Sequence, residues 1–181
     1  MTMGYGLCTI HHLGYVVDDL AEAARRWHDI AGIGPFLVQE HVPFDGITAD
    51  GDPVVFDHSK AYAAYGSLFV ELKLIHEAAP ANAGPFFGSN GGVGLNHVAY
   101  VVDDAEAESE RLAERGMPST VRARVGELDV ALHDGSSSLG FAVEVHQRCE
   151  PLTTLFAQVR SAAREWDGQD VIRPLPATAS R

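Results

Sequence analysis

The chain has 181 residues, 46% hydrophobic and 21% charged, which is enough to bury a core and too apolar for intrinsic disorder. Acidic residues outnumber basic ones 25 to 13, and with no cluster of Lys and Arg to overrule it, the resulting charge of -12 argues against nucleic acid as a partner. Two cysteines, Cys8 and Cys149, make no disulfide framework; no charged-then-apolar leader opens the chain and no run approaches the roughly 18 apolar residues of a membrane span, so a cytoplasmic protein without a membrane partner is expected.

The first element is an apolar strand run, His12-Leu-Gly-Tyr-Val-Val, followed by Asp18-Asp19, a pair suited to cap a helix over Leu20 to Ala31 that stops at Gly32. Strand candidates follow at Pro35 to Val42 and Pro53 to His58, with Asp45 to Asp52 between them reading as a longer loop. A strand pattern around Phe69-Val70-Glu71-Leu72 closes this unit, and a Gly/Pro-rich stretch, Ala78 to Gly94, leads out of it. The next unit repeats the order: a strand from His97, a helix over Ala105 to Arg115 stopping at Gly116, strands at Ser119 to Val125 and Leu128 to Asp134, and a last one carrying Val143-Glu144. Leu152, Leu155, Phe156, Val159 and Ala163 then recur at helical spacing, which predicts a helix over Leu152 to Trp166 covering a sheet or dimer surface. From Asp167 onward the tail is polar and proline-containing, and poor order is expected there. The division is thus a βαβββ module over 8–77, a joint over 78–94, a second βαβββ module over 95–148, and a helix and tail over 149–181: an α+β fold.

The two modules are copies of one another. His12, Tyr15, Val16, Val17, Asp18 and Asp19 return in the same order as His97, Tyr100, Val101, Val102, Asp103 and Asp104, an offset of 85 residues. Glu71 and Glu144 occupy matching Val-Glu steps 73 residues apart, so the first copy is longer by about a dozen residues, placed in the Asp45 to Asp52 loop. By strand alternation His12, Gly14 and Val16 share one face, and Leu13, Tyr15 and Val17 pack under the helix. If the modules pair about a pseudo-twofold axis, His12, Glu71, His97 and Glu144 converge near it. A lone His in an apolar strand is usually a core residue; recurrence of both residue types at matched places points to metal binding instead. His11 competes as a ligand, but the repeat aligns it with Asn96. Two imidazoles and two carboxylates suit Zn, Ni, Co, Mn or Fe(II), without choosing among them, and leave coordination positions open, as a catalytic site requires.

These paired modules, the Phe-Val-Glu-Leu strand and the Asn-His-Val-Ala-Tyr-Val-Val-Asp-Asp repeat together resemble the vicinal oxygen chelate superfamily over about residues 8 to 148. That superfamily includes glyoxalase I, methylmalonyl-CoA epimerase, extradiol dioxygenases and antibiotic-resistance proteins. The resemblance implies a concave sheet and one divalent ion on His12, Glu71, His97 and Glu144. It also implies an enzyme, an isomerase, epimerase or lyase, that stabilises an enolate next to a carbonyl of a small-molecule substrate. In the glyoxalase-like branch a metal-bound glutamate takes the proton, a role that Glu144 would fill, with Glu71 facing it. Lys73 and His146 share the cavity face by alternation, and His58 and His133 on the third strands are further candidate substrate contacts. An extradiol Fe(II) dioxygenase and a ligand-sequestering resistance protein are the alternatives, and relatives that pair modules between chains make a homodimer a further expectation.

Overall fold

In the computed structural model, which describes residues 9–79 and 92–176, the two copies form the halves of one mixed sheet. The first half contains β1 (Ile10–Val16), α1 (Leu20–Ala31), β2 (Phe36–Gln39), β3 (Gly46–Ala49), β4 (Asp52–Pro53), β5 (Val55–Tyr65) and β6 (Leu68–Ala79). The second contains β7 (Gly94–Val102), α2 (Ala105–Ala113), β8 (Ser119–Val125), β9 (Leu128–His133), a single helical turn α3 (Ser136–Leu139) and β10 (Ala142–Gln147). Helix α4 (Glu150–Arg164) and β11 (Ile172–Pro174) follow. Most of the joint expected over 78–94 lies outside the described residues.

The aspartate pairs do cap the helices. Asp19 accepts from the backbone N–H of Glu22 at 2.8 Å, Asp104 accepts from that of Ala107 at 3.0 Å, and Gly32 ends α1 with a φ of 67°. Helix α2 stops at Ala113, two residues before the expected Arg115.

Strand order is β11-β2-β5-β6-β1-β7-β10-β9-β8-β3-β4. An antiparallel β1–β7 seam joins the halves, and within each half the first strand lies parallel to the last. The register repeats residue for residue. His12 pairs with Phe69 and Gly14 with Glu71; His97 pairs with Ala142 and Ala99 with Glu144. Across the seam Gly14 faces His97 and His12 faces Ala99.

Two expectations need correction. The Asp45 to Asp52 segment is not a loop: β3 crosses to the other half and pairs with the outer edge of β8, and β4 folds back on it. Asp50 and Gly51, both with positive φ, make the two-residue turn between them. An unpaired β8 edge is what draws the segment in, since its backbone groups need partners. The tail beyond Asp167 is also ordered as far as residue 176, because β11 adds in parallel to β2 and protects the opposite edge of the sheet.

The helices α1 and α2 cover one face of the sheet. Tyr15 and Val17 pack with Ala24 and Trp27, and Tyr100 and Val102 pack with Leu112. The other face carries the glutamates. There α4 buries Leu152, Phe156 and Val159 against Leu37, Tyr62 and Phe69. Each such side chain contributes roughly 1.5–3 kcal/mol on burial. The terminal helix therefore covers a sheet, and it covers the face on which the candidate site lies.

Candidate metal centre

The repeated register brings His12, Glu71, His97 and Glu144 together. One ligand atom from each lies within 4.8 Å of the others, and all four residues are buried. His97 Nε2 is 3.2 Å from Oε2 of both Glu71 and Glu144. His12 Nε2 is 3.3 Å from Glu71 Oε2 and 3.5 Å from Glu144 Oε2, yet it is off the direction of a hydrogen bond and has no partner. A buried nitrogen that faces two carboxylates without bonding to either is an arrangement suited to a metal ligand, and two imidazole nitrogens with two carboxylate oxygens, a doubly negative set, suit a borderline divalent ion. These residues fit the group that the superfamily implies.

Burial by itself would raise both glutamates. The close imidazoles of His12 and His97 instead hold Glu71 well below the usual carboxylate range, and His97 with His146 do so for Glu144. Burial would push His97 down, but Glu144 and then Glu71 pull it up to about 9. A divalent ion would supply the same compensation to the two carboxylates.

Each histidine of the cluster is oriented by the residue before it in the chain. Asn96 Oδ1 lies 2.8 Å from His97 Nδ1 and accepts from Lys73 Nζ at 3.0 Å. His11 Nδ1 lies 3.1 Å from His12 Nδ1. Burial and then the neighbouring His12 lower His11 to about 3, so it is neutral and can accept the His12 Nδ1 proton, leaving His12 Nε2 free to donate electrons. Sequence reasoning weighed His11 as a competing ligand and used Asn96 only to align the repeat; the signal it missed is that both place a polar side chain directly before a histidine of the cluster. It missed the function of Gly14 as well. A Cβ there would fall 2.0 Å from the nearest atom of the His97 ring, so only glycine leaves room.

A cavity of about 60 Å³ opens on Glu71 and Glu144. Lys73, His146 and His58, expected as substrate contacts, all line it and are all buried. His146 Nε2 lies 2.6 Å from Glu144 Oε2; burial lowers its pKa against the pull of that carboxylate, so it donates as a neutral imidazole. Burial, with Lys73 and Lys60 adding to it, lowers His58 to about 3. His133 is elsewhere. Val130 and Leu132 take the cavity face of β9, so alternation turns His133 the other way, where Nδ1 bonds Met117 O at 2.8 Å and Nε2 bonds Ser109 Oγ at 3.1 Å. It is a satisfied core histidine and does not reach the cavity. On the α4 side Phe156 stacks on His12 at 5.7 Å and closes the centre.

Residues 11–131 match the family model described as the Glyoxalase/Bleomycin resistance protein/Dioxygenase superfamily, which is the vicinal oxygen chelate group. The chain belongs to this superfamily. The match includes His12, Glu71 and His97 and ends before β10, so Glu144 enters the centre through the structural repeat. Three solved structures of the same fold are 15–20% identical to this superfamily member. A hypothetical protein of Bacillus halodurans C-125 has 18% identity and a TM-score of 0.57, covering 78% of this chain and 95% of its own. Methylmalonyl-CoA epimerase from Mycobacterium tuberculosis has 20% identity and a TM-score of 0.54, covering 80% and 91%. The Streptomyces coelicolor epimerase has 15% identity and a TM-score of 0.50, covering 78% and 95%. No curated protein matches.

Proposed function

We propose that the protein is a divalent-metal-dependent isomerase, epimerase or lyase that moves a proton on the carbon next to a carbonyl. The observation that supports this reading is the pair of buried, ionised glutamates, one from each half, opening on the same small cavity beside two imidazoles. His12, Glu71, His97 and Glu144 would hold the ion, which when bound supplies Lewis acidity to a carbonyl oxygen. Glu144 is the base in this reading, held in place by the His146 bond to its Oε2. Glu71 stands across the cavity; in an epimerisation it would enter the cycle protonated and give its own proton to the opposite face of the carbon, while Glu144 keeps the proton it removed. Phe156 and the apolar residues of β9 keep water from the carbanion-like centre.

The structural likeness to methylmalonyl-CoA epimerases makes methylmalonyl-CoA one substrate to offer, with a panel of small 2-oxo and 2-hydroxy acids beside it. The test is deuterium exchange at the carbon next to the carbonyl, followed by NMR in heavy water, with metal content measured on the same samples. Glu144→Gln is expected to keep its divalent ion and lose exchange. Full exchange in that variant would sink the assignment of Glu144.

A further inference from the structure

The two halves supply matching ligands but opposite walls. On β5 and β6 the residues around Glu71 are polar: Tyr62 pairs with Glu71, and Lys60 pairs directly with Lys73. At the equivalent places on β9 and β10, Leu132 pairs with Glu144 and Val130 with His146. Both sets line the same cavity, where Val121 of β8 extends the apolar side.

Like charges directly opposite across two strands destabilise a sheet. Lys60 and Lys73 keep such a pair at the cavity. Lys73 is buried, bonds Asn96 and lies over the Phe56 ring at 5.9 Å; Lys60 lies over the Tyr62 ring at 5.4 Å. Among the described residues neither makes an ion pair. His58, on the same wall, adds a buried Nδ1 without a hydrogen-bond partner. A divalent ion at the centre would cancel the two glutamates and leave both ammonium groups with no counter-charge. Buried charge without a partner is costly, and a ligand that supplies one is held correspondingly well.

We propose that the ligand of this site is a small organic carboxylate on an apolar body, its carboxylate between Lys60 and Lys73 and its body against Val121, Val130 and Leu132. This names the substrate class for the reading given above and rests on it for the identity of the site. The unequal walls fix which end of the ligand faces which half, and so which face of the reacting carbon meets Glu144.

The probes are 3-methylbutanoate and its uncharged isostere 3-methylbutanamide, titrated by saturation-transfer NMR into metal-loaded and chelator-stripped protein. The acid is expected to bind about tenfold more tightly than the amide. The Lys60→Gln, Lys73→Gln double variant loses that preference and Lys73→Arg keeps it. Lys60→Gln alone, which leaves Asn96 and His97 untouched, loses part of it. Equal binding of acid and amide, no binding of the acid at millimolar concentration, a preference that survives in the double variant, or stronger binding of inorganic phosphate than of the acid would each overturn the proposal. Metal content and deuterium exchange on the same samples separate the two readings: Glu144→Gln tests the base, while Lys60→Gln, which leaves Asn96 and His97 untouched, lowers the preference and retains the ion.

Discussion

The halves of this sheet agree residue for residue at the centre and disagree around it. His12 and His97, Glu71 and Glu144 sit in the same register in both copies, while Tyr62, Lys60 and Lys73 on one side stand opposite Leu132, Val130 and His146 on the other. An ion presents nearly the same demand to both halves, so a symmetric ligand set is enough for it. A carbon substrate has distinguishable ends, and only an asymmetric cavity can orient it. In the proposed reading the matched residues answer to a metal and the unmatched ones to the ligand.

Even the symmetric part has a flaw in its symmetry, and this gives the largest expected effect. Gly14 and Ala99 are equivalent, but the chain keeps a glycine where a Cβ would meet the His97 ring and an alanine opposite His12. Gly14→Ala should displace His97, cost about 1–3 kcal/mol in stability and weaken metal binding. Ala99→Gly should cost only roughly 0.5–1 kcal/mol, with metal affinity retained. Thermal melts and chelator competition read both; equal losses from the two substitutions would contradict the close approach at Gly14.

The residues behind the histidines give a smaller difference. Asn96→Ala and His11→Ala should each lower metal affinity by about 10- to 100-fold. Asn96→Ala should be the worse of the two, because Asn96 Oδ1 also holds Lys73. A larger loss from His11→Ala would show that the two supports do not differ in this way.

The smallest effect distinguishes the walls by pH. Native His58 stays neutral down to about pH 3, whereas in the unfolded chain it takes up a proton near its ordinary pKa of 6.5. The unfolded state then binds more protons, so stability is lost as pH falls from 6.5 toward 3, by about 1.4 kcal/mol per pH unit for this group. At about pH 5.5 His58→Gln should therefore recover about 1.4 kcal/mol of stability relative to its own loss at neutral pH. Denaturant melts at both pH values check this; the same acid slope in the variant would place the proton uptake elsewhere, as at His146 on the facing wall.

Local sequence carried much of this architecture. Helix α1, its Asp19 cap and its Gly32 stop follow from short-range hydrogen bonding and were legible, as was β8. So was the convergence of His12, Glu71, His97 and Glu144, because the four recur at matched places in a duplicated chain. Other features depend on contacts between distant segments. The Asp45 to Asp52 segment has turn residues at both ends, and only the free edge of β8 makes it a strand. Polarity marked the tail as loose until β2 offered it an edge. His133 and His58 lie on corresponding strands but five places apart in register, an odd number, so alternation sends one under α2 and the other into the cavity.

The sequence by itself determined the repeat, the α+β class and the four residues of the centre, since pattern and spacing are local properties that recur visibly. Only the tertiary structure decided which polar groups face one another: Lys60 against Lys73, Asn96 behind His97, Gly14 beneath its ring and α4 over His12. Those relations are set by strand order and register, which bring together residues tens of positions apart whose interaction has no signature along the chain.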